Sequence, residues 1–468
     1  MVVQKKAMSA SGAKVILRAG KPLENCHIEE PLELSGIFFQ NIEIINCRIE
    51  EIRTKQDCVF QSDVRLLNVN ITGMASFVNA EFFGKCEMAE IGFGYAEFYG
   101  SKFKSEANFR FTEFREFADF SEVVFERSAN FRNAIFEHGA DFCSVKFKNK
   151  ADFEQSEFHK KVFFNDSKFY NTADFDGCKI KHYADFRRAE FMEDVEFRGA
   201  ISKPQQENNT NTGLYFNHVK IHGNCNFGNS EFDVFTFSNS EISGDFYFKD
   251  VTLLNSVSFE GSQFTKNFNF LDSGKMKSRK TGGPYTICLL AAFNGDVKVE
   301  WDQIIGKIYY SRKKNHAKAC EEFRGLKEIF EKNDDYESMD RAYEMYRHHK
   351  NMADSKLRLI KWLEFFFLMQ CSGYGTRPFR FLLVALAVIL SFAVFYSFQV
   401  EQFNFLPDSA LGFFFFYSLM TFIAGGIEGV HPNFDGWMKH VVAFESFSGI
   451  LLMTLFTVML ARKFLQQK

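Results

Sequence analysis

Residues 140–175 read "ADFCSVKFKNKADFEQSEFHKKVFFNDSKFYNTADF", and the rings in this stretch recur at a spacing that neither a helix nor an ordinary strand can use. Phe142, Phe147, Phe153, Phe158, Phe164, Phe169 and Phe175 are separated by five and six residues in alternation. Two positions before each ring stands a small or short residue: Ala140, Val145, Ala151, Ser156, Val162, Ser167 and Ala173. A helix repeats its face every 3.6 residues and a strand every second residue. One small and one large inward residue every five or six positions suits a square-sectioned coil with one unit per side, stacked on the next coil by sheet hydrogen bonds. The feature is chain-wide, since the 468 residues include 62 Phe against 15 Tyr and 3 Trp. Upstream the ladder continues through Phe120, Phe109, Phe98, Phe77, Ile71, Leu66 and Phe60, then through Ile49, Ile44, Phe39, Leu34 and Ile28. Downstream, after a polar stretch from Ser202 to Gly213, it resumes at Phe216, Ile221, Phe227 and Phe232 and runs to Phe259, Phe264 and Phe270.

This pattern resembles the pentapeptide-repeat family, and the resemblance covers roughly half the chain. It implies a right-handed quadrilateral β-helix over residues 28–275, after an N-terminal arm (1–27) and before a solenoid cap (276–308). At ~22 residues and ~4.8 Å per coil the rod is ~50 Å long. The departure from the family is the sixth residue in alternate units, expected to bulge one corner. Cys26, Cys47, Cys58, Cys86, Cys178 and Cys225 occupy the small slot, where a free Cys acts as a small buried hydrophobe. No CxxC pair is present, which gives no zinc site, and reduced cysteines fit a cytosolic rod. The net charge of −3 and the interleaved basic residues of "KFKNK" and "FRRAEF" exclude a nucleic-acid partner and an acidic DNA mimic. No nucleophile–base pair, phosphate loop or metal cluster is evident. The expectation is therefore no enzyme, no cofactor and no metal. The first twenty residues lack the apolar core and cleavage site of a secretory signal.

Beyond the ladder the period becomes helical. Phe323, Leu326 and Phe330, then Met339, Tyr343 and Tyr346, mark two amphipathic helices joined at "KNDD" within a connector at 309–370. Adjacent His348 and His349 point about 100° apart on a helix and cannot both grip one metal. "KLRLIKWLEFFFLMQ" suits a helix lying in the membrane interface.

Residues 371–468 carry two apolar runs, a first span at about 379–400 and a second at about 437–463, each long enough to cross a bilayer. Arg377 and Arg380 precede the first; Arg462, Lys463 and Lys468 follow the second; Glu401, Asp408, Glu428 and Asp435 lie between. The positive-inside rule then makes both termini cytoplasmic, in a multi-pass protein of the cell inner (plasma) membrane. Between the spans, "DSALGFFFFYSLMTF" is apolar but too short to cross, and a glycine-bearing return is permitted only along a water-filled path.

The stretch "FYSLMTFIAGGIEGVHP" resembles, without a gap, the pore loop of two-transmembrane potassium channels. The fold class is thus β plus membrane α, with a two-transmembrane pore-loop domain whose loop spans 409–432. The resemblance implies a selectivity filter over Thr421, Phe422, Ile423, Ala424, Gly425, Gly426, Ile427, Glu428 and Gly429. It also implies an inner helix hinged at Gly449, with Met453, Thr454 and Thr457 on the cavity. Glu445 is expected to brace the filter, through Thr421 or a backbone amide. The potassium signature is replaced here by Ala424-Gly425-Gly426-Ile427-Glu428, so the expectation is a ring of Glu428 carboxylates in a homotetramer. Such a ring concentrates monovalent cations (K⁺, Na⁺) with weak discrimination. The "GYG" at Gly373–Gly375 precedes the first span and reads as a turn into the membrane. Two functions are compatible with the sequence: a cation channel with an unknown ligand or protein partner on its cytosolic rod, and a membrane-anchored binding scaffold with a non-conducting pore.

Overall fold

In the regular part of the chain, strands of two residues follow one another at Ala129–Asn130, Ile135–Phe136, Ala140–Asp141 and Lys146–Phe147. Each pairs in parallel with the strand 22 residues on, as in Ala129↔Ala151, Ile135↔Glu157, Ala140↔Val162 and Lys146↔Lys168. Four strands per repeat give four sides, and the computed structural model is a β-solenoid of about 12 turns followed by helices. It describes residues 5–55, 57–204, 212–271, 285–354, 359, 361, 364, 372–400, 403, 410–425 and 436–466. Two compact units divide the chain, Met1–Lys313 and Lys314–Lys468.

Parallel pairing in register stacks identical side chains. Phe120 lies on Phe142 at 5.0 Å and Phe142 on Phe164 at 4.9 Å, with planes within 6°. A second column, Phe131–Phe153–Phe175, repeats at 4.9 Å. The columns meet edge to face, with Phe142 and Phe153 5.3 Å apart at 87°. This is the arrangement the ring quadrupole favours between offset aromatics. All seven rings of the 140–175 stretch and all seven small partners are buried.

The corners alternate in kind. Where five residues separate two rings, the chain makes a tight turn: Val145 N–H donates to Phe142 O (3.4 Å) and Ser144 has φ +58°. The next such corner repeats this, with Ser156 N–H donating to Phe153 O (3.0 Å) and Gln155 at φ +58°. A left-handed third residue with this hydrogen bond is the type II turn. Left-handed residues recur at Asn133, Ser144, Gln155, Asp166, Gly177, Arg188 and Gly199, eleven apart. They fall in the five-residue steps. Of the six-residue steps between Phe125 and Phe197, one has a residue at positive φ, Gly139 at +103°.

Two insertions leave the register intact. Ala184 pairs with Leu214 and Val257 with Ile287, each thirty residues apart in sequence. The second insertion hides a further turn from a count of the sequence period. Phe293 stacks on Phe264 at 5.2 Å and Val297 pairs with Phe268, so residues 286–298, expected in the cap, are solenoid. The capping residues proper come later. They lie on the short helices α2 (Trp301–Ile304) and α3 (Tyr309–Arg312), which bury Trp301, Ile304 and Tyr310. At the other end, the expected arm is itself structured. Lys6–Ala7 pairs with Cys26–His27, and helix α1 (Ala10–Arg18) buries Ala13 and Leu17.

The spacing misplaces one rung. Phe39 is 69% exposed, and its neighbour Phe38 is the buried ring, stacked on Phe60 at 5.4 Å. The corner between Leu34 and Ile37 has two residues, whereas the corner between Thr54 and Val59 one turn later has four. Gly36, at φ +76°, makes the shorter turn.

The second unit opens with an antiparallel-type helix pair, α4 (His316–Lys332) and α5 (Tyr336–Ala353), as the helical period predicts. Asn315 and Asp335 cap their N-termini, accepting from Lys318 N–H and Ser338 N–H. Then come α6 (Pro378–Ser397), α7 (Ala410–Ala424) and α8 (Met438–Gln466). Helices α6 and α8 are long and apolar enough to cross a membrane. At 15 residues α7 reaches ~22 Å and does not. Of the expected interfacial helix, only Leu359, Lys361 and Glu364 are described.

Candidate functional site

Helices α6, α7 and α8 meet around one carboxyl group. Glu445 of α8 is fully buried. Tyr396 of α6 donates its hydroxyl to Glu445 Oε2 at 2.6 Å, and Ser418 of α7 hydrogen-bonds Oε1. Ser418 Oγ also lies 2.9 Å from Ile389 O of α6. Each of the three helices thus contributes a polar group to a junction otherwise made of Phe403, Phe414, Tyr417, Met438 and Val442. Tyr396 and Tyr417 cross edge to face at 5.3 Å, and Phe403 packs on both. The sequence marks Glu445 as a brace but names the wrong partners. Thr421 is reached instead by Ser446, whose hydroxyl donates to Thr421 O at 3.3 Å. Ser418 and Tyr396 carry no sequence signal beyond being polar in apolar helices.

The C-terminus of α7 rests on α8 at Gly449. A Cβ built on Gly449 lies 1.9 Å from Phe422 O, so only glycine admits this approach. Buried residues Met438, Val442, Glu445 and Gly449 follow helical spacing along one face of α8. Ile450, Thr454 and Thr457 lie on other faces, Met453 follows Gly449 one turn on, and all four are exposed. Thr454 and Thr457 return their hydroxyls to the carbonyls of Ile450 and Met453.

Of the residues expected in the filter, Thr421, Phe422, Ile423 and Ala424 are helical and form the last turn of α7. Nothing before Gly425 breaks the helix. Gly425, at φ +79°, ends it, donating its N–H to Thr421 O at 3.1 Å. Gly426, Ile427, Glu428 and Gly429 lie outside the described residues.

The "GYG" stretch has a different task. Gly373, Tyr374 and Gly375 are all left-handed, at φ +57°, +53° and +86°. Their loop closes around Glu344 of α5: a Cβ at Gly373 would lie 2.6 Å from Glu344 Oε1. Thr376 donates to the same oxygen at 2.6 Å, and Arg377 grips both carboxylate oxygens, with Nη2 2.8 Å from Oε2. Arg347 of α5 lies over the Tyr374 ring at 5.4 Å.

His349 finds its partner across the helix pair, with Nδ1 2.9 Å from Nδ1 of His316 and its ring stacked on Phe323. Burial, reinforced by the neighbouring His348 and His316, pulls its pKa down to about 4. In the solenoid, burial pushes the Cys47 thiol up to about 11 and Cys58 to about 12, which suppresses the reactive thiolate. Asp152, Glu154 and Asp174 converge closely enough to hold a metal ion. The Lys150 ammonium lies among them, 3.1 Å from Asp152 and 3.0 Å from Asp174, and Arg132 pairs with Glu154.

Comparison with known proteins bears on the solenoid. Residues 98–142 and 153–201 match the family described as Pentapeptide repeats, in nine copies. No curated protein and no solved structure matches the chain significantly. The matched residues lie in the regular middle of the solenoid, so this chain carries pentapeptide repeats folded as a four-sided β-solenoid.

Proposed function

We propose that the chain is one subunit of a homotetrameric cation channel in the cell inner membrane, with α6 and α8 as its spans and both termini cytoplasmic. The carrying observation is α7: a partly buried apolar helix too short to cross, ended by a left-handed glycine and seated on α8 through Gly449. A mere anchor has no need of a half-length helix held by a buried carboxyl group. One such loop supplies a quarter of a ring, which calls for four chains about an axis. In this reading Glu428, three residues past Gly425, lines the ring, and K⁺ and Na⁺ pass with weak discrimination. Met453 and Thr457 face the cavity, and the pentapeptide-repeat rod receives a ligand or protein partner in the cytosol.

The rival is a membrane-anchored scaffold, favoured by the fact that the family match falls on the repeats. Reconstitution into liposomes separates the two. Wild-type protein should carry a cation flux that Glu428→Gln weakens relative to anion leak. A tetramer with no flux establishes the scaffold, and strong K⁺ over Na⁺ selectivity rejects the carboxylate ring.

A further inference from the structure

Two acidic residues one turn apart on α5 engage the near ends of both spans. Asp340 and Glu344 stand at i and i+4, hence on one face, and both are buried. Glu344 holds Arg377, the residue that caps α6, together with Thr376. Asp340 holds the end of α8: Arg462 Nη2 is 3.1 Å from Oδ1, and Lys463 Nζ is 3.3 Å from Oδ2. Arg462 also lies 5.2 Å over the Tyr343 ring. The first turn of α6 and the last turns of α8 are therefore fixed to the same turn of α5.

The rest of α8 shows why this matters. Its outer part is seated by Met438, Val442, Glu445 and Gly449. From Ile450 to Val458 no residue is buried within the subunit, only Leu452 and Phe456 are half-buried, and the next buried residue is Met459, just before Arg462. The helix is thus held firmly at two places with a loosely packed stretch between, and the inner hold is ionic. A junction meant only to be permanent is better made of apolar residues than of ion pairs whose cationic side chains stay 35–39% exposed to water. Ion pairs, by contrast, separate into solvated groups, so such a junction can release.

We propose that Asp340 and Glu344 form a charge clamp through which α5 holds the inner end of α8 against the start of α6, and that releasing the clamp lets that end swing about Gly449 and opens the pore. The second half rests on the channel reading above. Asp340 and Glu344 are positioning residues, since neither faces the ion path in this reading.

The test uses full-length protein in lipid nanodiscs and liposomes. Asp340→Asn should speed hydrogen exchange at least threefold in the last turns of α8, residues 460–465, and raise K⁺ flux by a similar factor. The charge-reversed combination Asp340→Lys with Arg462→Glu and Lys463→Glu should restore both. If Asp340→Asn fails to fold, Arg462→Gln with Lys463→Gln makes the same test from the other side. Unchanged exchange in the folded variants overturns the clamp. Faster exchange with unchanged flux in a conducting protein overturns the gating half. Faster exchange in a protein whose wild type never conducts sustains the clamp and removes the channel.

Discussion

Gly449 of α8 and Phe422 of α7 approach so closely that a Cβ on the glycine would lie 1.9 Å from the Phe422 carbonyl oxygen. Helix propensity alone favours alanine over glycine by about 1 kcal/mol. The clash is with backbone, which cannot rotate away, and overpacking of this kind costs about 1–3 kcal/mol or more. Gly449→Ala should therefore lower the melting temperature in nanodiscs and displace the end of α7. A variant that melts at or above wild type would mean that α7 does not rest on α8 here.

In the solenoid, Phe153 stacks between Phe131 and Phe175 and is fully buried. Removing the ring leaves a cavity that parallel stacking cannot close, so Phe153→Ala should cost about 3–5 kcal/mol. Lys148 points outward to Glu126, 2.9 Å away at the surface, and such a pair contributes about 0–1 kcal/mol. Urea unfolding of the two variants should separate them clearly. Equal midpoints would contradict the stacked interior.

These two sites differ in how far the sequence foretells them. Phe153 is legible because its neighbours in space are its periodic equivalents in sequence. The same logic fails at Phe39, where a corner shortened by two residues shifts the ring inward to Phe38. It fails again beyond Phe270, where an insertion conceals the last turn. The half-length of α7 and a polar partner for Glu445 are also legible, from apolar run length and from one charge in an apolar helix. The partners of Glu445 are not, since they depend on how three helices rotate against each other. Least legible is "GYG", whose role comes from Glu344, about thirty residues earlier, and the clamp beside it joins residues 122 apart.

The His349 pair makes the α4–α5 hairpin sensitive to acid. Its folded pKa, about 4, lies below the ordinary 6.5, so the unfolded state binds the proton more readily. Stability from this group is complete above about pH 6.5 and declines as pH falls toward 4, by at most about 3 kcal/mol. Hydrogen exchange in α4 and α5 should rise across that window. His349→Phe, which keeps the stack on Phe323, should flatten the dependence. A wild-type profile that is already flat would show that the His316–His349 contact does not persist in solution.

Glu445 provides the sharpest contrast between two substitutions of similar size. Its carboxyl group accepts from Tyr396 and meets Ser418, joining α6, α7 and α8 where little water is available to replace it. Glu445→Leu leaves the Tyr396 hydroxyl facing an apolar side chain and frees Ser418 from α8, and a buried unsatisfied group costs about 1–3 kcal/mol. Glu445→Gln keeps an oxygen for Tyr396 and supplies an N–H to Ser418, whose own proton can then go to Ile389 O at 2.9 Å. The glutamine variant should melt within a few degrees of wild type. The leucine variant should melt well below it, with α7 loosened first in hydrogen exchange. If leucine is tolerated as well as glutamine, the three-helix junction is held by its aromatic packing alone and Glu445 has no part in seating α7.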